Sequence, residues 1–137
     1  EEISKVNPNT VVVLFGGGPV DMGRWINQVP AIVQAWYPGM EGGNALANIL
    51  FGKTNPSGKL PMTFAKKLED NPAHKLGEFP GQNMEVNYNE GIFVGYRYFD
   101  TYHVEPEFCF GHGLSYTQFE YSDLFLEEDD CVSLLIK

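Results

Sequence analysis

Three carboxylates stand where catalysis could use them: Asp21 shortly after an apolar run, Glu41 at the opening of a helical pattern, and Glu90 just before a glycine. A glycosidase works with two carboxyl groups about 5–10 Å apart, one protonated as general acid and the other acting as nucleophile or base. Nothing in the spacing of these three brings any two together. Acids at helix N-termini more often cap the first turn or compensate the helix dipole, and that is the expectation for Asp21 and Glu41. A second candidate is the triple glycine Gly16-Gly17-Gly18, where backbone N–H groups could approach an anion. Neither GxGxxG nor GxxxxGK[ST] is present, and Pro19 removes one donor, so a plain strand-to-helix turn is preferred over a nucleotide site.

His74, His103 and His112 are spaced too irregularly for a metal-binding helix. His112, between Gly111 and Gly113, reads as a side chain fastening a tight turn, with a proton shuttle or pocket residue as its functional alternative. Gly113-Leu114-Ser115 is not a GxSxG elbow, so no serine nucleophile is indicated. Phe93, Tyr96, Tyr98, Phe99 and Tyr102 could stack on the apolar faces of sugar rings, although such groups more often form core or interface. Arg97 among them could pair with a buried acid. Cys109 and Cys131 show no CxxC spacing and no Cys/His cluster, which argues against zinc; their pairing is open. The residues alone therefore define no catalytic, cofactor-binding or metal-binding set.

The elements that must position these groups alternate. Thr10 to Phe15 is a β-branched run expected as a strand buried on both faces, as in parallel sheets covered by helices. Val20 to Gln28 has room for a short helix, and Ala31 to Tyr37 reads as a second strand. From Glu41 to Phe51 the period changes: Ala45, Leu46, Ile49 and Leu50 share one helical face, and Gly52 stands just past the C-cap. Leu60 to Phe64 is expected as a short strand, confined to an edge by Pro61. Residues 66 to 90 read as a long functional or packing loop. Ile92 to Phe99 suits either helix or strand, and Tyr116 to Tyr121 alternates like a half-exposed strand. The order implies an α/β fold, a mostly parallel sheet covered by helices.

Composition narrows the class. The chain has 137 residues, 43% apolar and 20% charged, a globular balance with room for one domain or part of one. Its net charge of −9 is concentrated between residues 120 and 130, where six acids meet no base. With no basic patch, nucleic acid and anionic membrane surfaces are disfavoured as partners. The apolar runs are far shorter than the roughly 20 residues of a membrane span. Glu1 to Val6 has no basic region followed by an apolar one, so no signal peptide is read there, and the compartment is left open.

Six ordered blocks carry a resemblance. They are Asn7 to Leu14, Val29 to Gly39, Gly42 to Ala47, Asn55 to Phe64, Glu90 to Asp100 and Phe110 to Thr117. Together they closely resemble glycoside hydrolase family 3. The resemblance implies a retaining β-glucosidase acting on terminal non-reducing β-D-glucosyl residues, in which a TIM-like barrel precedes an α/β sandwich. It implies that residues 1–121 are the latter part of that sandwich, incomplete at its N-terminal side, and that 122–137 form an acidic linker toward a fibronectin-like domain. The nucleophilic Asp of the barrel and the acid/base Glu would both lie upstream of this chain, leaving it no catalytic residue, no cofactor and no metal. The chain by itself is then expected to be inactive, its partners being the barrel and, through the parent enzyme, a β-glucoside or oligosaccharide. A non-catalytic carbohydrate-binding or domain-packing module is the alternative. Cys109 stands where the family usually has Pro, a change expected to relax the Phe-Gly-His-Gly turn without touching chemistry.

Overall fold

The computed structural model describes residues 1–122. Its elements are α1 (Glu2–Val6), β1 (Val11–Phe15), β2 (Ala31–Trp36), α2 (Gly42–Leu50), α3 (Pro72–Lys75) and α4 (Tyr96–Thr101), with 3-10 turns at Ile26–Gln28 and Leu68–Asp70. Among the described residues no helix is long and apolar enough to cross a membrane.

β1 and β2 are parallel neighbours, in register from Val11 opposite Ala31 to Leu14 opposite Gln34. Their β-branched residues suit a pleated ladder. A bulge then sets Phe15 opposite Trp36, whose φ of 53° is left-handed, and the Gly16 N–H donates to the Trp36 carbonyl at 3.3 Å. For a tryptophan this backbone is sparsely populated and strained, and it turns the chain out of the sheet. α2 follows as the periodicity requires. Gly52, at φ 70°, closes it, its N–H donating to the Ile49 carbonyl at 2.9 Å.

Four expectations are corrected. β1 is not buried on both faces: Val12, Val13 and Leu14 are half-buried, and Phe15 is 60% exposed. The β1–β2 connection holds only a 3-10 turn at Ile26–Gln28, in place of the short helix expected over Val20 to Gln28. Leu60 to Phe64 is not a regular strand. The Leu60 N–H donates to the His112 carbonyl and the Phe64 N–H to the Phe108 carbonyl, both at 2.8 Å, while Pro61 has no N–H to continue the ladder. Tyr116 to Tyr121 forms no strand either, because side chains take its backbone partners: Tyr116 N–H donates to Asn55 Oδ1 at 2.8 Å and Thr117 N–H to Ser115 Oγ at 3.3 Å. Ile92 to Phe99, open between helix and strand, turns at its start and becomes helical at Tyr96, after Gly95 with φ 57°.

The core is small and aromatic. Phe64 is 2% exposed, with Met22, Tyr98 and Phe99 also buried. Edge-to-face contacts run from Trp36 to Phe64 (6.2 Å between centroids) and from Phe64 to Phe108 (6.4 Å), and Phe108 meets His112 at 4.9 Å. This row of rings ties the end of β2 to the glycine turn at residues 111–113.

Candidate functional site

The three candidate carboxylates do not assemble. Asp21 is exposed and closes a local turn, its Oδ1 accepting the Gly23 N–H at 3.0 Å. Glu41 holds the N-cap position of α2, yet its side chain caps nothing; Oε2 accepts from Asn44 Nδ2 at 2.7 Å. The capping expectation is thus right for the position of Glu41 and wrong for its side chain, and it fails for Asp21, where no helix follows. Glu90 is half-buried, and its Oε2 is shielded from solvent without a hydrogen-bond partner. No hydrogen bond joins any two of these acids among the described residues.

The remaining candidates fold into structure. After β1, Gly16 to Gly18 forms an open turn followed by no helix, which removes the premise of a helix-terminal anion site. At Gly17 an added Cβ would come within 2.9 Å of the Tyr37 ring, so this glycine serves close packing. Contrary to expectation, the His112 side chain does not fasten its turn by a hydrogen bond among the described residues: the backbone N–H donates to the Cys109 carbonyl at 3.1 Å, and the ring packs on Phe108 instead. Cys109, exposed, leaves the turn formed; Cys131 and the acidic stretch from 123 onward lie outside the described residues.

A clasp fixes that turn to the rest of the chain. Gly113 lies so close to Gly58 that a Cβ would fall on the Gly58 carbonyl oxygen, and Lys59 Nζ donates to the Gly113 carbonyl. Asn55 accepts from Ser115 Oγ at 2.9 Å and donates to Thr117 Oγ1 at 3.0 Å, and the Tyr116 hydroxyl donates to the Ile49 carbonyl at 2.8 Å near the end of α2. Of the aromatic group, Tyr98 and Phe99 are core, and Tyr102 packs on both Phe93 (5.5 Å) and Tyr98 (5.0 Å). Among the described residues Arg97 pairs with no acid; its guanidinium lies 5.7 Å above the Tyr96 ring.

A concavity emerges where the sequence marked only a long loop. Gly77, Glu78, Gln82, Asn83, Glu85 and Asn87 line a polar cavity of about 320 Å³. Gln82 and Glu85 exchange backbone hydrogen bonds at 3.0 and 2.9 Å around Asn83 and Met84, both with positive φ, so the loop is a two-residue hairpin. No Asn-Gly pair announces this turn, and the richness of the loop in Asn, Gln and Glu was the remaining signal.

With fold and surface described, the relationship is plain: residues 1–96 match the family model of the glycosyl hydrolase family 3 C-terminal domain, and the chain belongs to that family. Thermostable β-glucosidase B of Acetivibrio thermocellus is 52% identical over 130 residues, covering 95% of this chain and 17% of that protein. A β-glucosidase of Rhizobium radiobacter is 54% identical over 121 residues, 87% of this chain and 15% of its own. Among solved structures, DesR, a β-glucosidase from Streptomyces venezuelae in complex with D-glucose, superposes with a TM-score of 0.85 at 41% identity, over 93% of this chain and 16% of that one. The fold is accordingly that of the α/β sandwich domain of these enzymes. The chain spans about one-sixth of the length of the relatives it matches.

Proposed function

We propose that these residues serve as the latter part of the α/β sandwich of a retaining β-glucosidase, packing against the remainder of that enzyme and supplying neither catalytic carboxylate. The carrying observation is the 52% identity over nearly the whole chain to a β-glucosidase of which it spans 17%. On this reading the parent cleaves terminal β-D-glucosyl residues by double displacement, with its nucleophile on a barrel domain and its acid/base upstream of Glu1. Residues 122–137 then lead toward a further domain.

The surface supports a packing role. Phe15, Tyr37, Met40, Phe51 and Ile92 are among the exposed large apolar residues. A packing module without sugar contact is the second reading, favoured by the burial of Tyr98 and Phe99 within the aromatic group.

A chimera tests the proposal. The matching 130 residues of the A. thermocellus enzyme are replaced by this chain, and hydrolysis of a chromogenic β-glucoside is followed together with the anomer first released. Activity with retention is expected, against no turnover by the 137-residue chain alone. A folded but inactive chimera, or turnover by the isolated chain that Asp21→Ala, Glu41→Ala or Glu90→Ala abolishes, overturns it.

A further inference from the structure

We propose that Glu90, flanked in the chain by Tyr88, Ile92 and Val94, is a docking point for a segment of the parent enzyme outside this chain that presents an arginine or lysine to the Glu90 carboxylate. The inference rests on the packing role proposed above and gives that role a place and a chemistry.

Three observations converge. The first is the acid itself. Glu90 is half-buried, and its Oε2 is cut off from solvent with no donor to it among the described residues. Buried polar atoms are nearly always paired, and a carboxylate oxygen left without a donor is costly. Arg97, the nearest cation along the chain, lies over the Tyr96 ring and pairs with no acid among the described residues. From residue 76 to residue 96 the chain carries Glu78, Glu85 and Glu90 and neither Lys nor Arg, so no cation of its own stretch compensates Glu90. Only Oε2 is shut off, which leaves Oε1 as the oxygen a partner reaches, and a cation there offsets the charge of the whole carboxylate.

The second is inverted polarity. Tyr88 is 81% exposed, Ile92 71% and Val94 47%, while the acid between them is drawn inward. A loop that faces only water places these residue types the other way round. Apolar groups that exclude water from a charge pair are the arrangement of an interface hot spot.

The third is rigidity. The Gly91 N–H donates to the Tyr88 carbonyl at 3.2 Å and the Phe93 N–H to the Glu90 carbonyl at 3.0 Å, while the Phe93 ring packs edge to face on Tyr102 at 5.5 Å. A surface held in this way loses little freedom on binding. Charge also selects the occupant. A second copy docking on the same patch would set one Glu90 against another, like charge on like. The A. thermocellus enzyme, of which this chain spans 17%, shows how much further chain a parent has to supply the cation.

The test is one substitution read in two settings, Glu90→Gln in the 137-residue chain and in the A. thermocellus chimera, by thermal unfolding. In the chain alone the change removes an uncompensated charge, and the melting temperature holds or rises. In the chimera it breaks a pair, and the melting temperature falls by about 2–4 °C. Ile92→Ser is the second variant, expected to lower the chimera's melting temperature and to leave that of the chain alone within about 1 °C. Equal shifts in the two settings, or no fall in the chimera, overturn the docking point. So does a melting temperature of the chain alone that rises with its concentration and loses that dependence in Glu90→Gln, which assigns the patch to a second copy. An active chimera indifferent to both substitutions removes the docking point and leaves the glucosidase reading standing; a folded, inactive chimera that both destabilise does the reverse.

Discussion

Replacing Phe64 with alanine removes the ring on which the core is centred. Phe64 is 2% exposed, meets Trp36 and Phe108 edge to face at 6.2 and 6.4 Å, and exchanges backbone hydrogen bonds with Phe108. Truncating a buried phenylalanine costs about 3–5 kcal/mol. Phe64→Leu keeps most of the apolar volume and forfeits two ring pairs worth about 0.5–1.5 kcal/mol each, so its cost is about 1–3 kcal/mol. Both are measurable by urea unfolding, with Trp36 fluorescence reporting the contact itself and circular dichroism testing whether the transition is two-state. At a slope of about 1–3 kcal/mol per molar urea, Phe64→Ala lowers the midpoint by roughly 2 M. Leu114→Ala is the control: Leu114 is 79% exposed, and the change stays within about 0.5 kcal/mol. A Phe64→Ala variant within about 1 kcal/mol of the parent, or one matched by Leu114→Ala, would falsify the placement of the core.

Two further outcomes follow from the clasp and from the surface ion pair. Gly113→Ala sets a Cβ on the Gly58 carbonyl and 2.8 Å from Lys59 Cδ, and lowers stability by about 1–3 kcal/mol; Gly18→Ala, with nothing within 4 Å, does not, and equal melting temperatures for the two contradict the close approach. At the surface, the Lys66 ammonium donates to Glu105 Oε2 at 2.7 Å and holds that carboxyl below its ordinary value. The stabilisation is therefore present above the unfolded carboxyl's value and lost as pH falls through the lower folded one; Lys66, raised by the same bond, loses its share only at alkaline pH. Glu105→Gln should lower the melting temperature slightly at pH 6 and low salt, and the gap should close on acidification or with added salt. A gap that widens in acid refutes the assignment.

Some of this architecture is legible in sequence because local pattern and tertiary outcome agree. Val11 to Phe15 and Ala31 to Trp36 are strands because β-branched runs suit little else, and Gly52 ends α2 where its left-handed backbone is needed. Leu60 to Phe64 and Tyr116 to Tyr121 mislead for opposite reasons. The first has a partner and lacks a donor at Pro61; the second has donors that Asn55 and Ser115 side chains intercept. Alternation reports which face is apolar and says nothing of where a backbone N–H finds its acceptor. The loop cavity was hidden for a third reason. Its polar residues converge only because Asn83 and Met84 both take left-handed backbone, a turn that methionine does not announce.

The distribution of apolar surface joins fold to proposed role. Phe64 is buried between Trp36 and Phe108, where the end of β2, the Phe64–Phe108 bridge and the glycine turn meet, so the chain's own contacts secure these loops. Apolar groups at Phe15, Tyr37, Leu50 and Phe51 stay in water, although the β1 run and the α2 face carry the sequence patterns of buried elements. Burying such a side chain is worth about 1.5–3 kcal/mol. A pattern that specifies burial and finds no cover among these residues is what a segment shaped to pack within a larger glucosidase requires.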